Sequence, residues 1–218
     1  PENLIALEPL NPRSASKLLV YSNKTITDSR FKYLFKYLKP NDCLIFNDTK
    51  VLNAKLNGRR IRSKTLEDTN ASVELLLLEK LSESRWVAFC KPLRKVKISD
   101  ELVFSSNLSA KIVSKTSDRV IVEFSENGAI LDKEILACGQ LPLPPYITKN
   151  RSYKDSDEIN YQSIFARQPG AIASPTASLH FDQTLLNRLK HNGIDNCFVT
   201  LHVGAGTFLP VKTENIAQ

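Results

Sequence analysis

The stretch CLIFNDTKV, Cys43–Val51, lies where the character of the sequence changes, and it decides the predicted fold. Upstream, Arg30–Leu38 places apolar side chains at i, i+3, i+4 and i+7, which predicts one face of a helix. The apolar run Cys43–Asn47 predicts a buried strand. Downstream, from about Ala54, short apolar or alternating segments follow one another with polar turns between them. That pattern is typical of a small barrel or sandwich.

The middle region is predicted to be almost entirely β. Its predicted strands are Val73–Glu79, Arg85–Phe89, Glu101–Phe104, Leu108–Val113 and Arg119–Phe124. A brief helix is predicted over Leu131–Leu136. The following LPLPPYI, Leu141–Ile147, predicts a polyproline-like connector, because proline lacks the N–H that a central strand needs.

Helix and strand patterns return after this connector. Asp182–Asn192 has apolar spacing typical of a helix, with Asp182 as the predicted N-cap. Asn196–Val203 predicts a strong strand, and Lys17–Tyr21 predicts another near the start of the chain. We therefore predict an α/β domain formed by residues 1–55 and 143–218 and interrupted by an inserted β domain, residues 56–142.

The composition favours a folded, basic protein. The 218 residues are 42% hydrophobic, and the formal net charge is +7 with a pI near 9.2. Because Lys and Arg neutralise phosphates, a polyanion is the expected class of partner, although a merely basic surface has the same composition. No stretch approaches the roughly 18 apolar residues of a membrane span, and no signal peptide pattern opens the sequence, so a cytoplasmic protein is expected.

The cysteine pattern does not indicate a disulfide framework or a metal site. Cys43, Cys90, Cys138 and Cys197 lie far apart, without a C-x-x-C pair or a histidine at zinc spacing. We expect them to be reduced and mostly buried.

Polar side chains follow the predicted strand Cys43–Asn47. Asn47, Asp48 and Thr49 stand at its carboxyl end, where ligands of open α/β sheets bind. An ordinary Asx turn explains the same residue types.

A second candidate segment is QPGAIASPTASLHF, Gln168–Phe181. Its small residues let a backbone approach a ligand closely. Thr176 or Ser178 is predicted to cap a following helix, whose free N–H groups suit an anion, and His180 comes next. The alternative is a loop and cap with a structural histidine.

A third candidate segment, TLHVGAGTFLP, Thr200–Pro210, begins in the predicted strand Asn196–Val203 and breaks it at Gly204. By strand alternation His202 lies on the more polar face at the carboxyl end, which fits a ligand-facing base. A satisfied buried histidine fits as well. Phosphate-loop and dinucleotide fingerprints are lacking, so the residues alone indicate an α/β protein with a pocket near His180 and His202.

Taken together, the sequence resembles the S-adenosylmethionine:tRNA ribosyltransferase-isomerase family of queuosine biosynthesis. The similar segments are PENLIA (1–6), PR-x-x-S-KLLV (12–20), FNDTKV (46–51), VELLLLE (73–79), LPLPPYI (141–147), YQSIFA (161–166), PGAIASPTASLHF (169–181) and FVTLHVGAGTFLPV (198–211). Two features depart from the family pattern. Ser178 stands where the family often has glycine, and the family normally continues beyond Gln218, so an incomplete α/β domain is expected.

The resemblance implies a three-layer α/β sandwich domain interrupted by an inserted small β-barrel. It also implies transfer and isomerisation of the ribosyl group of S-adenosylmethionine onto 7-aminomethyl-7-deazaguanine in tRNA, giving epoxyqueuosine-tRNA, adenine and methionine. S-adenosylmethionine is then a co-substrate, and neither a metal nor another cofactor is expected. The expected protein is a monomer that binds tRNA and no membrane.

This chemistry needs acid–base groups, and histidine is the natural one near neutral pH. The hypothesis is that His180 and His202 share the proton transfers, and that Asp48 holds the ribose or the aminomethyl group. Further predicted substrate-binding residues are Asn47, Thr49, Thr176, Ser178, Gly204, Gly206 and Thr207. Predicted tRNA contacts are Arg59, Arg60, Lys91, Arg94, Lys95 and Lys97, with Arg62 beside them.

Two other functions fit parts of the sequence. One is a non-catalytic RNA-binding remnant of such an enzyme. The other is an S-adenosylmethionine methyltransferase, which the missing glycine-rich loop disfavours.

Overall fold

The computed structural model of the protein describes residues 2–61 and 71–208. They form two compact units, one containing residues 2–51 and 143–203 and the other containing residues 52–61, 71–142 and 204–208. Arg62, one of the predicted RNA contacts, lies outside the described residues.

The secondary structure is dominated by strands. The strands are β1 Lys17–Ser22, β2 Thr25–Arg30, β3 Cys43–Asn47, β4 Thr49–Val51, β5 Lys55–Ile61, β6 Ala71–Lys80, β7 Arg85–Lys91, β8 Glu101–Val103, β9 Ser109–Lys115, β10 Val120–Phe124, β11 Gln168–Ala171 and β12 Asp195–Val199. The α-helices are α1 Gly128–Cys138, α2 Pro145–Thr148, α3 Asp157–Asn160 and α4 Gln183–His191. Short 3-10 helices cover Glu2–Leu4, Arg13–Ala15, Phe31–Tyr37, Leu93–Lys95, Thr176–His180 and Ala205–Phe208.

The second unit is built around a closed antiparallel barrel with the strand order β10-β7-β6-β5-β8-β9. Its interior is filled by alternate side chains of each strand, among them Leu56, Leu75 and Ile112, all fully buried. The chain is thus a mixed α/β protein with a closed six-stranded β-barrel, as the alternating middle region predicts. Strand β5 was not predicted, because its buried positions include the charged Arg60 and so break the apolar alternation.

The first unit contains two parallel strand pairs and one hairpin. Strand β3 pairs with β12, β4 pairs with β11, and β1 forms an antiparallel hairpin with β2. An aromatic core packs around β3, with the Phe46 and Phe165 rings stacked at 4.0 Å between centroids and Phe181 edge-on to Phe46. The predicted face Arg30–Leu38 packs against this core, although its helix is of the 3-10 type.

Two predicted elements of this unit have different ends in the structure. Strand β12 ends at Val199 rather than Val203, and it is exposed along its whole length. The predicted connector Leu141–Ile147 turns into α2 at Pro145, because proline is well tolerated in the first turn of a helix.

The cysteines are less buried than expected. Cys90 is buried and Cys138 is half-buried, but Cys43 and Cys197 are exposed on the neighbouring strands β3 and β12. Their Sγ atoms lie 3.8 Å apart. The expectation of mostly buried thiols therefore fails for this pair, because both side chains lie on the exposed side of the β3–β12 pair.

Candidate functional site

The side chain of Asn47 joins the end of β3 to the segment after β12. Its Nδ2 donates to the carbonyl of Leu201 (2.8 Å), and its Oδ1 accepts from the backbone N–H of Leu201 and of Thr49, both at 3.1 Å. These bonds continue the pairing of β3 and β12 past the last strand residue. The predicted substrate-binding amide therefore holds the backbone of the site in place.

His202 is held beside the start of β4. Its Nδ1 lies 2.7 Å from Oγ1 of Thr49, and the imidazole is exposed. The ring packs directly on Gly170 of β11, where φ is +151° and an added Cβ would lie 2.6–2.7 Å from three ring atoms. Gly170 therefore has to lack a side chain for His202 to occupy this position.

Asp48 is buried at the carboxyl end of β3. Its Oδ1 accepts a hydrogen bond from Oγ1 of Thr200 at 2.7 Å. Its backbone carbonyl accepts from the N–H groups of Arg167 and Gln168, which places the start of the 168–181 segment at this strand end. Asp48 therefore links three chain segments with one carboxylate and one peptide group.

His180 has a comparable arrangement at the other end of that segment. Its Nδ1 lies 2.9 Å from Oγ of Ser16, its ring lies 5.2 Å from the ring of Phe31, and the side chain is exposed. The next helix, α4, is capped by Asp182, whose Oδ1 accepts from the N–H of Leu185 at 2.9 Å. The prediction that Asp182 is the N-cap is therefore confirmed, and neither Thr176 nor Ser178 caps this helix.

The cap also ties α4 to the N-terminal segment, since Oδ2 of Asp182 accepts from the N–H of Ser14. Burial alone would raise the pKa of Asp182. Hydrogen bonds from Ser14, Leu185 and Thr184 outweigh that effect and hold the pKa below its usual value. The Asp182 carboxylate thus stays charged and holds both the first turn of α4 and the backbone of Ser14. Ser14 lies two residues before Ser16, the partner of His180.

The other predicted substrate residues differ in exposure. Thr176 is exposed at the start of its 3-10 helix, and Ser178 is buried in it. Gly204, Gly206 and Thr207 are exposed, and an added Cβ at either glycine would meet no atom of the described residues within 4 Å. Their backbone therefore has no local steric need for glycine.

The predicted RNA contacts fall into two groups. Arg59, Lys91, Arg94, Lys95 and Lys97 are exposed on the barrel unit. Arg60 is only 2% exposed, because it points into the barrel, where its Nε lies 3.9 Å from Oδ2 of Asp100. The prediction that Arg60 is a surface contact for tRNA is therefore wrong.

Arg167 was not singled out from the sequence. It is exposed, its guanidinium lies 4.8 Å from the centre of the Phe198 ring, and its N–H bonds to Asp48. A cation directly before the small-residue segment was the available signal. It provides a positive charge over Phe198, near the carboxyl end of β12.

Two kinds of feature are absent from the part of the chain that the structure describes. Among the described residues, no group of three His, Cys, Asp or Glu side chains is placed to hold a metal ion. No helix there has the length and apolar character needed to cross a membrane.

The comparison with known proteins agrees with the sequence segments that surround this site. A family model described as queuosine biosynthesis protein matches residues 1–218. Relatives named S-adenosylmethionine:tRNA ribosyltransferase-isomerase include those of a Ruegeria species (44% identity, covering 99% of this chain and 62% of the relative) and Dinoroseobacter shibae (45%, 99% and 61%). The relative of that name from Rhizobium meliloti is 42% identical, with 100% and 63% coverage.

A solved structure with similarity to this chain is the S-adenosylmethionine tRNA ribosyltransferase of Thermotoga maritima, at 30% sequence identity and a TM-score of 0.34. The alignment covers 93% of this chain and 56% of the Thermotoga chain. The chain spans about 62% of the length of the curated relatives it matches. Because the family model matches the full sequence, the chain belongs to the queuosine biosynthesis protein family.

Proposed function

We propose that the protein transfers and isomerises the ribosyl moiety of S-adenosylmethionine onto 7-aminomethyl-7-deazaguanine in tRNA, giving epoxyqueuosine-tRNA and releasing adenine and methionine. Family membership over residues 1–218 is the observation that carries this proposal. S-adenosylmethionine serves as a co-substrate, and the protein works as a cytoplasmic monomer.

The reaction requires several proton transfers. The sulfonium makes the adjacent ribose 5′ carbon acidic, so a base has to remove its proton. Adenine leaves as a neutral base once it is protonated, and the aminomethyl nitrogen has to be uncharged to attack. We assign these transfers to His180 and His202 together.

The hydroxyl partners of both histidines support this assignment. Ser16 and Thr49 each contact an Nδ1 atom, so Nε2 is the ring nitrogen that faces a substrate. In the tautomer that carries its proton on Nδ1, the hydroxyl oxygen accepts from Nδ1–H, and it keeps this bond when Nε2 is protonated as well. Each imidazole can therefore gain or lose a proton at Nε2 while its position is kept.

Asp48 is proposed to hold the ribose or the aminomethyl group together with Thr49. Thr176, Ser178, Gly204, Gly206 and Thr207 are proposed to contact the methionine moiety or nearby hydroxyls. The exposed cations Arg59, Lys91, Arg94, Lys95 and Lys97 are proposed to contact the tRNA backbone.

We further propose a three-layer α/β sandwich formed by residues 1–55 and 143–218, with residues 56–142 as an inserted barrel domain. The parallel pairs β3–β12 and β4–β11 support this architecture, because parallel strands occur mainly in sheets covered by helices.

The test is an assay of this chain with S-adenosylmethionine and tRNA carrying the 7-aminomethyl-7-deazaguanine base. We expect adenine and methionine in equal amounts with modified tRNA. His180→Ala and His202→Ala are each expected to lower turnover at least about 100-fold, and His191→Ala, at the exposed end of α4, to leave it unchanged.

Three results would contradict the proposal. Formation of S-adenosylhomocysteine would indicate a methyltransferase. Binding of tRNA without adenine release would support the RNA-binding alternative. Near wild-type turnover in both histidine variants would refute their roles while leaving the reaction in place.

A further inference from the structure

The basic loop Lys91–Lys97 (KPLRKVK) connects β7 to β8 through a 3-10 turn and carries four cations in seven residues. Lys91, Arg94, Lys95 and Lys97 are exposed, whereas Val96 between them is fully buried. Like charges this close repel one another, so such a segment favours an open conformation unless its backbone is held.

The barrel holds this backbone at three consecutive residues. Arg60 of β5 donates from Nη1 to the carbonyl of Lys95. Lys115 of β9 donates from Nζ to the carbonyl of Val96 at 2.8 Å. The N–H of Lys97 donates to Oδ2 of Asp100 at 2.8 Å, just before β8.

Stability of the barrel alone does not account for these charged groups. Arg60 and Asp100 are 2% and 8% exposed, and removing such charges from water costs free energy that a purely apolar interior would avoid. What the charges do provide is a fixed conformation for the loop backbone. The buried charges therefore act on the arrangement of the exposed ones.

We propose that Arg60, Asp100 and Lys115 hold the basic loop as a preorganised surface for the phosphate backbone of RNA. The partner follows from charge complementarity, because exposed cations on a backbone that is held in place fit the regularly spaced phosphates of a polyanion. With tRNA as the RNA, the inference rests on the proposed function. Arg60 is then a positioning residue.

The test compares two lysines on the same strand. Lys115→Met removes the bond to Val96 but keeps an apolar stem. Lys111→Met removes the same charge from an exposed position of β9. Binding of unmodified tRNA is measured by fluorescence anisotropy across a KCl series, and circular dichroism checks that each variant is folded.

Lys115→Met is expected to raise the tRNA Kd about fivefold more than Lys111→Met, because the loop then loses conformational freedom on binding. The slope of log Kd against log KCl concentration should be the same for the two variants, because the loop cations remain. Trypsin should cut Lys115→Met after Arg94, Lys95 or Lys97 faster than the control, and Lys115→Arg should restore both properties. Asp100→Asn, a second variant, should behave like Lys115→Met.

Equal Kd values and equal cleavage rates in Lys115→Met and Lys111→Met would overturn the inference. It would also be overturned if neither Asp100→Asn nor Lys115→Met changed the tRNA Kd and the cleavage rate relative to wild type. Adenine release by the wild-type chain with that result would leave the proposed function intact. If tRNA binding depends on the loop but adenine is not released, the inference about the loop is supported and the proposed function is refuted.

Discussion

The Oγ1 of Thr49 lies 2.7 Å from Nδ1 of His202, although 153 residues separate them in the sequence. Thr49 begins β4, and His202 follows β12, which pairs with β3. The pairing of β3 with β12 thus brings the hydroxyl at the start of β4 and the imidazole after β12 into one hydrogen bond. Because Nδ1 is occupied by this bond, Nε2 of His202 is the ring nitrogen that the proposed proton transfer would use.

Thr49→Val tests that relationship. Valine keeps the shape of threonine but removes the hydroxyl, so His202 loses the partner of Nδ1. We expect adenine release to fall about tenfold or more. Thr27→Val, on the exposed strand β2, serves as the control and should retain wild-type rates. Unchanged turnover in Thr49→Val would show that the bond is not needed.

Gly170→Ala is expected to displace His202. The added Cβ would overlap the imidazole at 2.6–2.7 Å, and alanine disfavours a φ of +151°. We predict a loss of unfolding free energy of more than about 1 kcal/mol and a drop in adenine release like that of Thr49→Val. Urea unfolding measures the first effect, with Gly206→Ala as the stability control, because its added Cβ would meet no described atom within 4 Å. Wild-type stability and activity in Gly170→Ala would contradict the predicted overlap.

Buried Asp157 and half-buried Arg151 form a two-bond ion pair, with distances of 2.8 and 2.7 Å. The Arg151 guanidinium holds the pKa of Asp157 below its usual value. The pair therefore stabilises the fold at neutral pH, and this contribution is lost as pH falls below about 4, through the lowered pKa. Asp157→Asn should cost about 3 kcal/mol at pH 7.

Urea unfolding between pH 7 and pH 2 checks this prediction. The stability difference between wild type and Asp157→Asn should narrow as the pH falls. Asp118→Asn, which removes an exposed partner of Arg119, should have a much smaller effect at every pH. A difference for Asp157→Asn that stays constant with pH would argue against the ion pair.

Charge reversal of Arg94, Lys95 and Lys97 should weaken tRNA binding at low salt and flatten its salt dependence. Each lost phosphate contact lowers the slope of log K against log salt by about 0.7–0.9. Reversal of Lys24, Lys36 and Lys39, exposed residues of the other unit, changes the net charge equally and is the control. Equal salt slopes for the two triple variants would exclude the loop as a specific RNA surface.

The cysteines should differ in reactivity toward iodoacetamide. Burial raises the pKa of the Cys90 thiol to about 11, so only about one thiol in a thousand is ionised at pH 8. Exposed Cys43 and Cys197 should be alkylated first, even though the hydrogen bond to Cys197 raises the pKa of Cys43. Peptide mass mapping over time, with a denatured control, would detect Cys90 reacting equally fast, which would contradict its burial.

Local patterns predicted several elements well. The predicted strand Cys43–Asn47 has the same bounds in the structure, and Asp182 caps α4 as its residue type and position indicated. The alternating segments of the middle region are strands of a closed barrel. In each case neighbours in sequence carry the signal, because apolar period and capping act within a few residues.

Other features had no local signal. The inward direction of Arg60 depends on its partner Asp100 and on a loop 35 residues away. The end of β12 at Val199 depends on where β3 ends, because a strand needs a partner for its hydrogen bonds.

For the candidate site, the sequence by itself determined which residue types are present and to which family the chain is similar. It also placed His180 and His202 next to glycine-rich or small-residue segments. Only the tertiary structure decided that Ser16 and Thr49 hold their Nδ1 atoms and that Gly170 leaves room for the His202 ring. These contacts join residues far apart in the chain, so they depend on how strands pair and side chains pack, which no short sequence window contains.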